Sequence, residues 1–368
     1  MTRDLIIVGP YPPPYGGVAT HVAGFLSFLL KSRDAGAIYC LTMGSAPSNA
    51  KNSLSDVTIK HYRPRDAFRL FLQAPVLFSG ICLRLVRMRA RLGFKATVVA
   101  TVQYIQLTKI LKELGAPVVL YHQADLSLSL PLLKQDQPFL KVGLALYGEI
   151  HDSPSLFSRN RAFFKVLIDS ADFCFSSSQY CASSYKKITA RHIDPIYYGI
   201  QNDDFEAVFD FRREFNCRAG NLTVGFLGRH SRQMGLDCFV QLVSANPIVK
   251  RVIVAGASGD LSSYLTDWCN EMDSKLDIEV WENFEFSSLP SILKRIDILV
   301  APTIAKHACM GMAIKEGMSA GCVIVAADSG GIPEAVTHLE TGFLFEEGNL
   351  VSSNNALQEA IRLFEDKD

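Results

Sequence analysis

The chain has 368 residues, 48% hydrophobic and 20% charged, a composition of ordinary soluble proteins and a length that suits two domains with separate cores. Lys plus Arg and Asp plus Glu both total 37, so no global field draws the chain to nucleic acid. Nine scattered cysteines with no Cys-x-x-Cys pair point to reduced thiols in the cytoplasm rather than a disulfide frame or zinc site, and no apolar run reaches the ~18 residues of a membrane span.

The first apolar run, Leu5 to Val8, is too short for a signal peptide and reads as strand one of a sheet. A proline-rich loop then ends in Gly16-Gly17 before an apolar helix from Val18 to Leu30. The diglycine either serves turn geometry or sits at a helix N-terminus where backbone amides approach an anion. Residues 63–95 hold Arg63, Arg65, Arg69, Arg84, Arg87, Arg89, Arg91 and Lys95 against Asp66, with an apolar stretch from Leu70 to Leu83 between two basic clusters. That pattern fits a helix lying on an anionic membrane and equally a core-facing helix with a solvated basic face.

Thr97 to Ala100 and Val118 to Tyr121 read as buried strands. His122, just past the second, stands where open α/β sheets hold ligands, although a histidine there also serves as a satisfied structural group. Asp125 is a weaker neighbour, and Glu149 to Arg161, with His151, Asp152 and Arg159, is either acceptor-side surface or a polar helix entry. Ala171 to Ser178 reads as a strand with serines at its exit, followed by a helix from Gln179. Phe205 to Gly220 is mixed, charged and aperiodic, as a linker is.

In the second half, Leu222 to Arg229 is a strand ending in Gly-Arg, with Arg232 nearby and able to hold a phosphate through two hydrogen bonds. Arg251 to Gly256 and Ile278 to Phe284 read as strands, and Leu289 to Ile296 as a short helix. The strand Ile298 to Ala301 then leads through a loop with Gly311 into a segment holding Met312 and Glu316 and closed by Gly321. The strand Val323 to Ala326, the turn Ser329-Gly330-Gly331 and a helix at Pro333-Glu334 follow, then a strand to Phe345 and a helix over Ala356 to Glu365. Strand, glycine loop and helix in alternation is the layout of a parallel α/β sheet whose strand ends face a ligand. Glycine loops opening helices suit a phosphate or diphosphate.

The run Gly311 to Gly321 with Glu316, followed by Gly330-Gly331 and Glu334, resembles the donor site of retaining nucleotide-sugar glycosyltransferases of the GT-B fold, the family 4-like group that includes many bacterial polysaccharide and glycolipid enzymes. The resemblance implies two Rossmann-like domains whose parallel sheets face an interdomain cleft: an acceptor-side domain over 1–198, a linker over 199–220 and a nucleotide-sugar donor domain over 221–368. It implies that Gly16 and Gly17 face the donor phosphates, His122 lies beside the transferred sugar, and Glu316 accepts hydrogen bonds from the ribose hydroxyls. Arg229, Arg232, Gly311, Met312 and Gly330 would hold the diphosphate, and the loop at Trp281 to Phe284 the base.

The chain departs from the family pattern in three places, one of them Tyr198, where an Asn belongs before Gly199. Ala308 stands where the first Glu of the Glu-seven-residues-Glu signature belongs, and Met234 where a phosphate-binding Lys does. In an active enzyme Arg232, Lys306, His307 or Lys315 would take over the lost contacts. A chain completed by a partner, or a non-catalytic scaffold, would need no such substitute. The family also runs on past the point where this chain stops, which implies a shortened chain or a different closure.

The implied activity is transfer of a sugar from a UDP- or GDP-linked donor to a saccharide or lipid-linked acceptor with retention. No metal is implied, since the one Asp-x-Asp, Asp366-Lys-Asp368, lies at the chain end. A nucleotide-sugar epimerase is the rival enzyme. The expected place is the cytoplasm, with contact at the inner membrane face through 63–95.

Overall fold

A computed structural model describes residues 3–11, 17–32, 35–44, 56–87, 93–114, 117–124, 127–148, 150, 158, 160–200, 222–306 and 309–365. Gly16, Asp125, Glu149, His151, Asp152, Arg159, residues 201–220, His307, Ala308 and Asp366 to Asp368 lie outside them. The chain divides into two compact units, Met1–Tyr198 and Gly199–Asp368.

The first unit is built on β1 (Arg3–Val8), α1 (Gly17–Ser32), β2 (Ala35–Met43), β3 (Val57–Tyr62), α2 (Asp66–Gln73), α3 (Pro75–Arg87), α4 (Phe94–Glu113), β4 (Val118–His122), α5 (Leu130–Asp136), β5 (Lys141–Leu146), α6 (Arg161–Ser170), β6 (Phe173–Ser176), α7 (Gln179–Ser184) and β7 (Asp194–Pro195). Its strands form one parallel sheet in the order β3-β2-β1-β4-β5-β6-β7. Alternate residues of β1 serve two cores: Ile6 and Val8 pack with α4 residues on one face, and Leu5 and Ile7 with Val22 and Leu26 of α1 on the other. A parallel strand covered on both sides has no polar face, which is why Leu5 to Val8 is an unbroken apolar run.

The second unit holds β8 (Thr223–Leu227), α8 (Leu236–Ala245), β9 (Arg251–Gly256), α9 (Ser262–Met272), β10 (Asp277–Glu282), α10 (Leu289–Leu293), β11 (Ile298–Ala301), α11 (Met312–Ser319), β12 (Val323–Asp328), β13 (Phe343–Glu346) and α12 (Leu350–Glu365). Its parallel sheet runs β10-β9-β8-β11-β12-β13. Val252 and Val254 of β9 enter one core, Ile253 and Ala255 the other.

Three expectations are corrected. Thr97 to Ala100 is not a strand but part of α4, whose residues from Ala100 to Ile105 are all buried. A helix enclosed on every side shows no 3.6-residue period, and its β-branched residues then look like strand. Pro333-Glu334 begins no α-helix: Ile332–Glu334 is a single 3-10 turn. The 63–95 segment is not one helix either. It breaks at Ala74–Pro75, where α2 and α3 bend by 118°, since proline disfavours helical geometry in the residue before it. No single helix among the described residues is long and apolar enough to cross a membrane.

Candidate active site

In each sheet the strand order reverses once, between β1 and β4 in the first unit and between β8 and β11 in the second. The carboxyl ends of strands at such a reversal leave a crevice where open α/β sheets bind ligands. The candidate residues follow these strands: His122 ends β4, Arg229 follows β8, and Gly311 follows β11.

In the second unit, hydrogen bonds join the loops after five neighbouring strands into one rim. Asn283 donates its amide to Gly256 O (2.8 Å), His230 to Ala257 O (2.8 Å), Ile304 to Gln233 O (3.1 Å) and Gly331 to Cys309 O (2.9 Å). The rim brings Arg229, Arg232, Gly311, Met312 and Gly330 onto one edge of the sheet. One of its tight points is Gly235, in the left-handed region (φ 78°), where a Cβ would lie 2.0 Å from Pro302 O. Gly235→Ala therefore forces apart the β8 and β11 loops, with an expected loss of roughly 2–4 kcal/mol. Thermal melts check this, and an unchanged midpoint would show that the loops yield freely.

Gly311 (φ 67°) caps α11 and, being glycine, offers no side chain to its first-turn amides. Such amides carry partial positive charge and suit an anion. Glu316 is the fifth residue of α11, so it does not cap the helix start. Its side chain is buried, at 6% exposure. Burial pushes its carboxyl up to about 7, and no charge or hydrogen bond among the described residues offsets that. Its neighbour Lys315 is half-buried and shifted downward by the same cause. Gly330 (φ 58°) packs on Lys306, whose carbonyl would lie 3.0 Å from a Cβ there.

Arg229 is exposed and forms no ion pair among the described residues. Arg232 is also exposed, but its Nε lies 3.7 Å from Asp237 Oδ2. Met234, at the family's Lys position, turns inward against the core and accepts the Thr303 hydroxyl at 3.7 Å. Two features of this rim escaped the sequence reading. His230 is fully buried in its side chain, with Nδ1 3.2 Å from Glu282 Oε1 and Nε2 unpartnered among the described residues. Burial lowers its pKa against the opposing pull of Glu282. The Ser329 hydroxyl is likewise buried and unpartnered among the described residues. The one sequence signal for His230 is its place directly after Gly-Arg.

In the first unit, His122 is 1% exposed. His122 passes so near Gly9 that a Cβ on that glycine would lie 2.8 Å from His122 Cβ, which is why a glycine must follow β1. Nδ1 lies 2.7 Å from the Tyr147 hydroxyl, while Nε2 has no partner among the described residues. Burial, and secondarily His21, pushes the imidazole down to about 3, so it is neutral at physiological pH. Helix α1 starts at Gly17 and carries His21, whose ring centroid is 5.9 Å from that of His122 and stacks on Tyr198 at 3.7 Å. Sequence reading did not find His21 or Tyr147, because only the fold brings them to the end of β4. Among the described residues, no three His, Cys, Asp or Glu side chains are grouped to hold a metal ion.

Comparison with known proteins agrees with this fold. Residues 221–366 match the family described as Glycosyl transferases group 1. An uncharacterized glycosyltransferase of Methanocaldococcus jannaschii is 26% identical over 161 residues, covering 42% of this chain and 40% of the relative. The D-inositol 3-phosphate glycosyltransferase of Mycobacteroides abscessus is 29% identical over 160 residues, covering 41% of this chain and 35% of the relative. The matched stretch thus spans well under half of either relative. Among solved structures, Anabaena HepE in complex with UDP and glucose superposes with a TM-score of 0.70 at 16% identity, covering 98% of this chain and 90% of that one. Sucrose-phosphate synthase from Thermosynechococcus elongatus gives 0.71 at 15% identity, covering 98% and 90%. The segment 221–366 therefore resembles the glycosyl transferases group 1 family, in a chain whose two parallel α/β sheets are those of the GT-B fold.

Proposed function

We propose that this protein transfers a sugar from a nucleotide-diphosphate donor to a saccharide or lipid-linked acceptor, with retention of anomeric configuration and without a metal ion. The observation that carries the reading is Glu316, a buried carboxylate with no partner of its own among the described residues, one turn into the helix that Gly311 opens. A protein keeps such a group at a cost, and two adjacent ribose hydroxyls would satisfy it. Arg229 and the amides at Met312 and beyond Gly330 would meet the diphosphate, and Arg232 would join them by leaving Asp237.

In the transfer, the bond from the anomeric carbon to the β-phosphate oxygen breaks and its electron pair stays on the diphosphate. The acceptor hydroxyl forms the new bond on the same face, and its proton passes to the departing phosphate. Preorganised donors that stabilise the growing phosphate charge supply most of such a rate enhancement. His122 would bind a sugar hydroxyl as a neutral imidazole, and Gly16 with Gly17 would face the phosphates. UDP is the nucleotide of first choice, because HepE binds UDP and UDP-glucose. The same reading makes this a cytoplasmic protein that meets a lipid-linked acceptor at the inner face of the membrane.

Nucleotide release from a panel of UDP- and GDP-sugars tests the proposal, together with thermal shifts by UDP and GDP. A nucleotide at about 100 times its Kd should add about 2.7 kcal/mol of stability, and Arg232→Ala should weaken that binding. Met234 packed inward favours a second reading, a scaffold that has lost turnover. Nucleotide binding without release from any donor would select the scaffold, and isomerised sugar without acceptor would select an epimerase.

A further inference from the structure

We infer that α2 and α3 form a basic, apolar-faced elbow that docks the first unit on an anionic lipid bilayer. In α2, Leu70 is buried and Ala67 faces the fold, while Phe68, Phe71 and Leu72 point outward at helical spacing. In α3, Phe78, Ile81 and Leu85 are buried, while Val76, Leu83 and Val86 point outward. Exposure reaches 72% at Phe68, 64% at Leu72, 86% at Val76 and 87% at Phe94, the first residue of α4. Single exposed apolar side chains are ordinary, but a contiguous set on two consecutive helices marks an interaction surface. Phe71 and Phe78 brace the bend edge-to-face, with ring centroids 5.9 Å apart.

Charge selects the occupant. Residues 63–95 contain eight Lys and Arg against one acidic residue, leaving 29 against 36 in the rest of the chain, so an electrically balanced protein concentrates its positive charge here. Arg63 and Arg84 are engaged by Asp66 and Asp136. Arg65, Arg69, Arg87 and Lys95 are exposed and form no ion pair among the described residues. A second copy of the chain would bring like charges together, and nucleic acid would leave the apolar side chains uncovered. An anionic bilayer satisfies both, its headgroups meeting the arginines and its acyl boundary taking Phe68, Leu72 and Val76. The elbow lies on the bilayer rather than crossing it: α3 has 13 residues, about 20 Å against a hydrocarbon core of about 30 Å, and the inner faces of both helices are committed to packing on α4.

The docking stands on this surface alone. It deepens the proposed function, and rests on it, only in bringing the enzyme to a lipid-linked acceptor. Flotation of the full chain with phosphatidylcholine vesicles, and with vesicles containing phosphatidylglycerol, tests it. Binding is expected only to the anionic vesicles and should weaken as salt rises. Combining Arg65→Gln, Arg69→Gln and Arg87→Gln should lower the partition roughly 100-fold. Combining Phe68→Ser, Leu72→Ser and Val76→Ser should leave a weak attachment that moderate salt abolishes. All these side chains are exposed, so both variants should keep the wild-type melting temperature and release nucleotide from donor normally in vesicle-free buffer. Wild-type protein that ignores anionic vesicles, or variants that bind them as wild type does, would overturn the docking. So would a dimer in vesicle-free solution that the serine variant dissociates, which would assign the face to a second copy. Failed nucleotide release with vesicle binding intact would instead sink the transferase reading alone.

Discussion

Glu316→Gln is expected to stabilise the protein above pH 7 while removing most of its donor turnover. The carboxyl is raised from an ordinary 4.5 to about 7 in the fold, by burial. A carboxyl with a raised folded pKa contributes stability that is full below 4.5 and is lost as pH climbs through 7. Above pH 7 the fold then holds a buried carboxylate at a cost of about 3 kcal/mol. Glutamine keeps the shape without the charge, so a gain of roughly 2–3 kcal/mol at pH 8, about 5–10 °C in melting temperature, should vanish at pH 5. Losing the charged acceptor for ribose should lower kcat/KM about 100-fold or more. In the wild-type protein UDP should bind about tenfold more weakly for each pH unit below 7, because only the ionised form accepts both hydroxyls. Calorimetric titration of UDP at pH 6 and pH 8 with both proteins measures this, and a glutamine variant that binds UDP as wild type does would remove Glu316 from the site.

The second large effect belongs to His122 and has the opposite pH sense. Its pKa falls from 6.5 to about 3 through burial and the proximity of His21. A depressed basic group contributes stability that is present above 6.5 and is lost as pH falls toward 3, since the unfolded chain takes up a proton that the fold refuses. By pH 4.5 that loss is about 3 kcal/mol. His122→Asn keeps a group that can reach the Tyr147 hydroxyl but removes Nε2. It should resist acid unfolding better than wild type below pH 6, while donor turnover falls roughly 10- to 100-fold. The pH profile of the wild-type activity should carry no limb from His122 between pH 5 and 8, so a limb near 7 would report Glu316. Circular dichroism melts at pH 4.5 and pH 8 decide the stability claim. If the asparagine variant were as acid-labile as wild type, the buried neutral imidazole would not be what limits acid stability.

Much of the fold was legible because its strands are covered on both faces. Leu5 to Val8 and Ile298 to Ala301 are continuous apolar runs followed by glycine or proline loops, and each lies in a strand. Strands β2, β3 and β5 went unread: Val57–Tyr62 mixes polar and apolar residues at the sheet edge, and Lys141–Leu146 is interrupted by Gly143. Thr97 to Ala100 misled because Thr97, Val98 and Val99 are β-branched and the helix they enter is buried without a break from Ala100 to Ile105, which hides its period. At the candidate site, Arg229, Gly311 and Gly330 were visible as residues of the loops after strands, and Glu316 through the family resemblance. His230 with Glu282, and His122 with Tyr147, were invisible as pairs because each joins distant segments.

Apolar runs separated by glycine loops and helices, all local properties of the chain, were enough to determine by themselves a parallel α/β architecture with anion-suited loops at its strand ends. Only the tertiary structure decided the charge state of the two central groups. Desolvation depends on what packs around a side chain, and the rings against His122, those of His21, Phe25, Tyr147 and Phe175, come from segments far away in sequence. Tertiary packing likewise decided that Met234 turns inward while the apolar side chains of α2 and α3 face outward, because a side chain's direction is set by the neighbours its element acquires on folding.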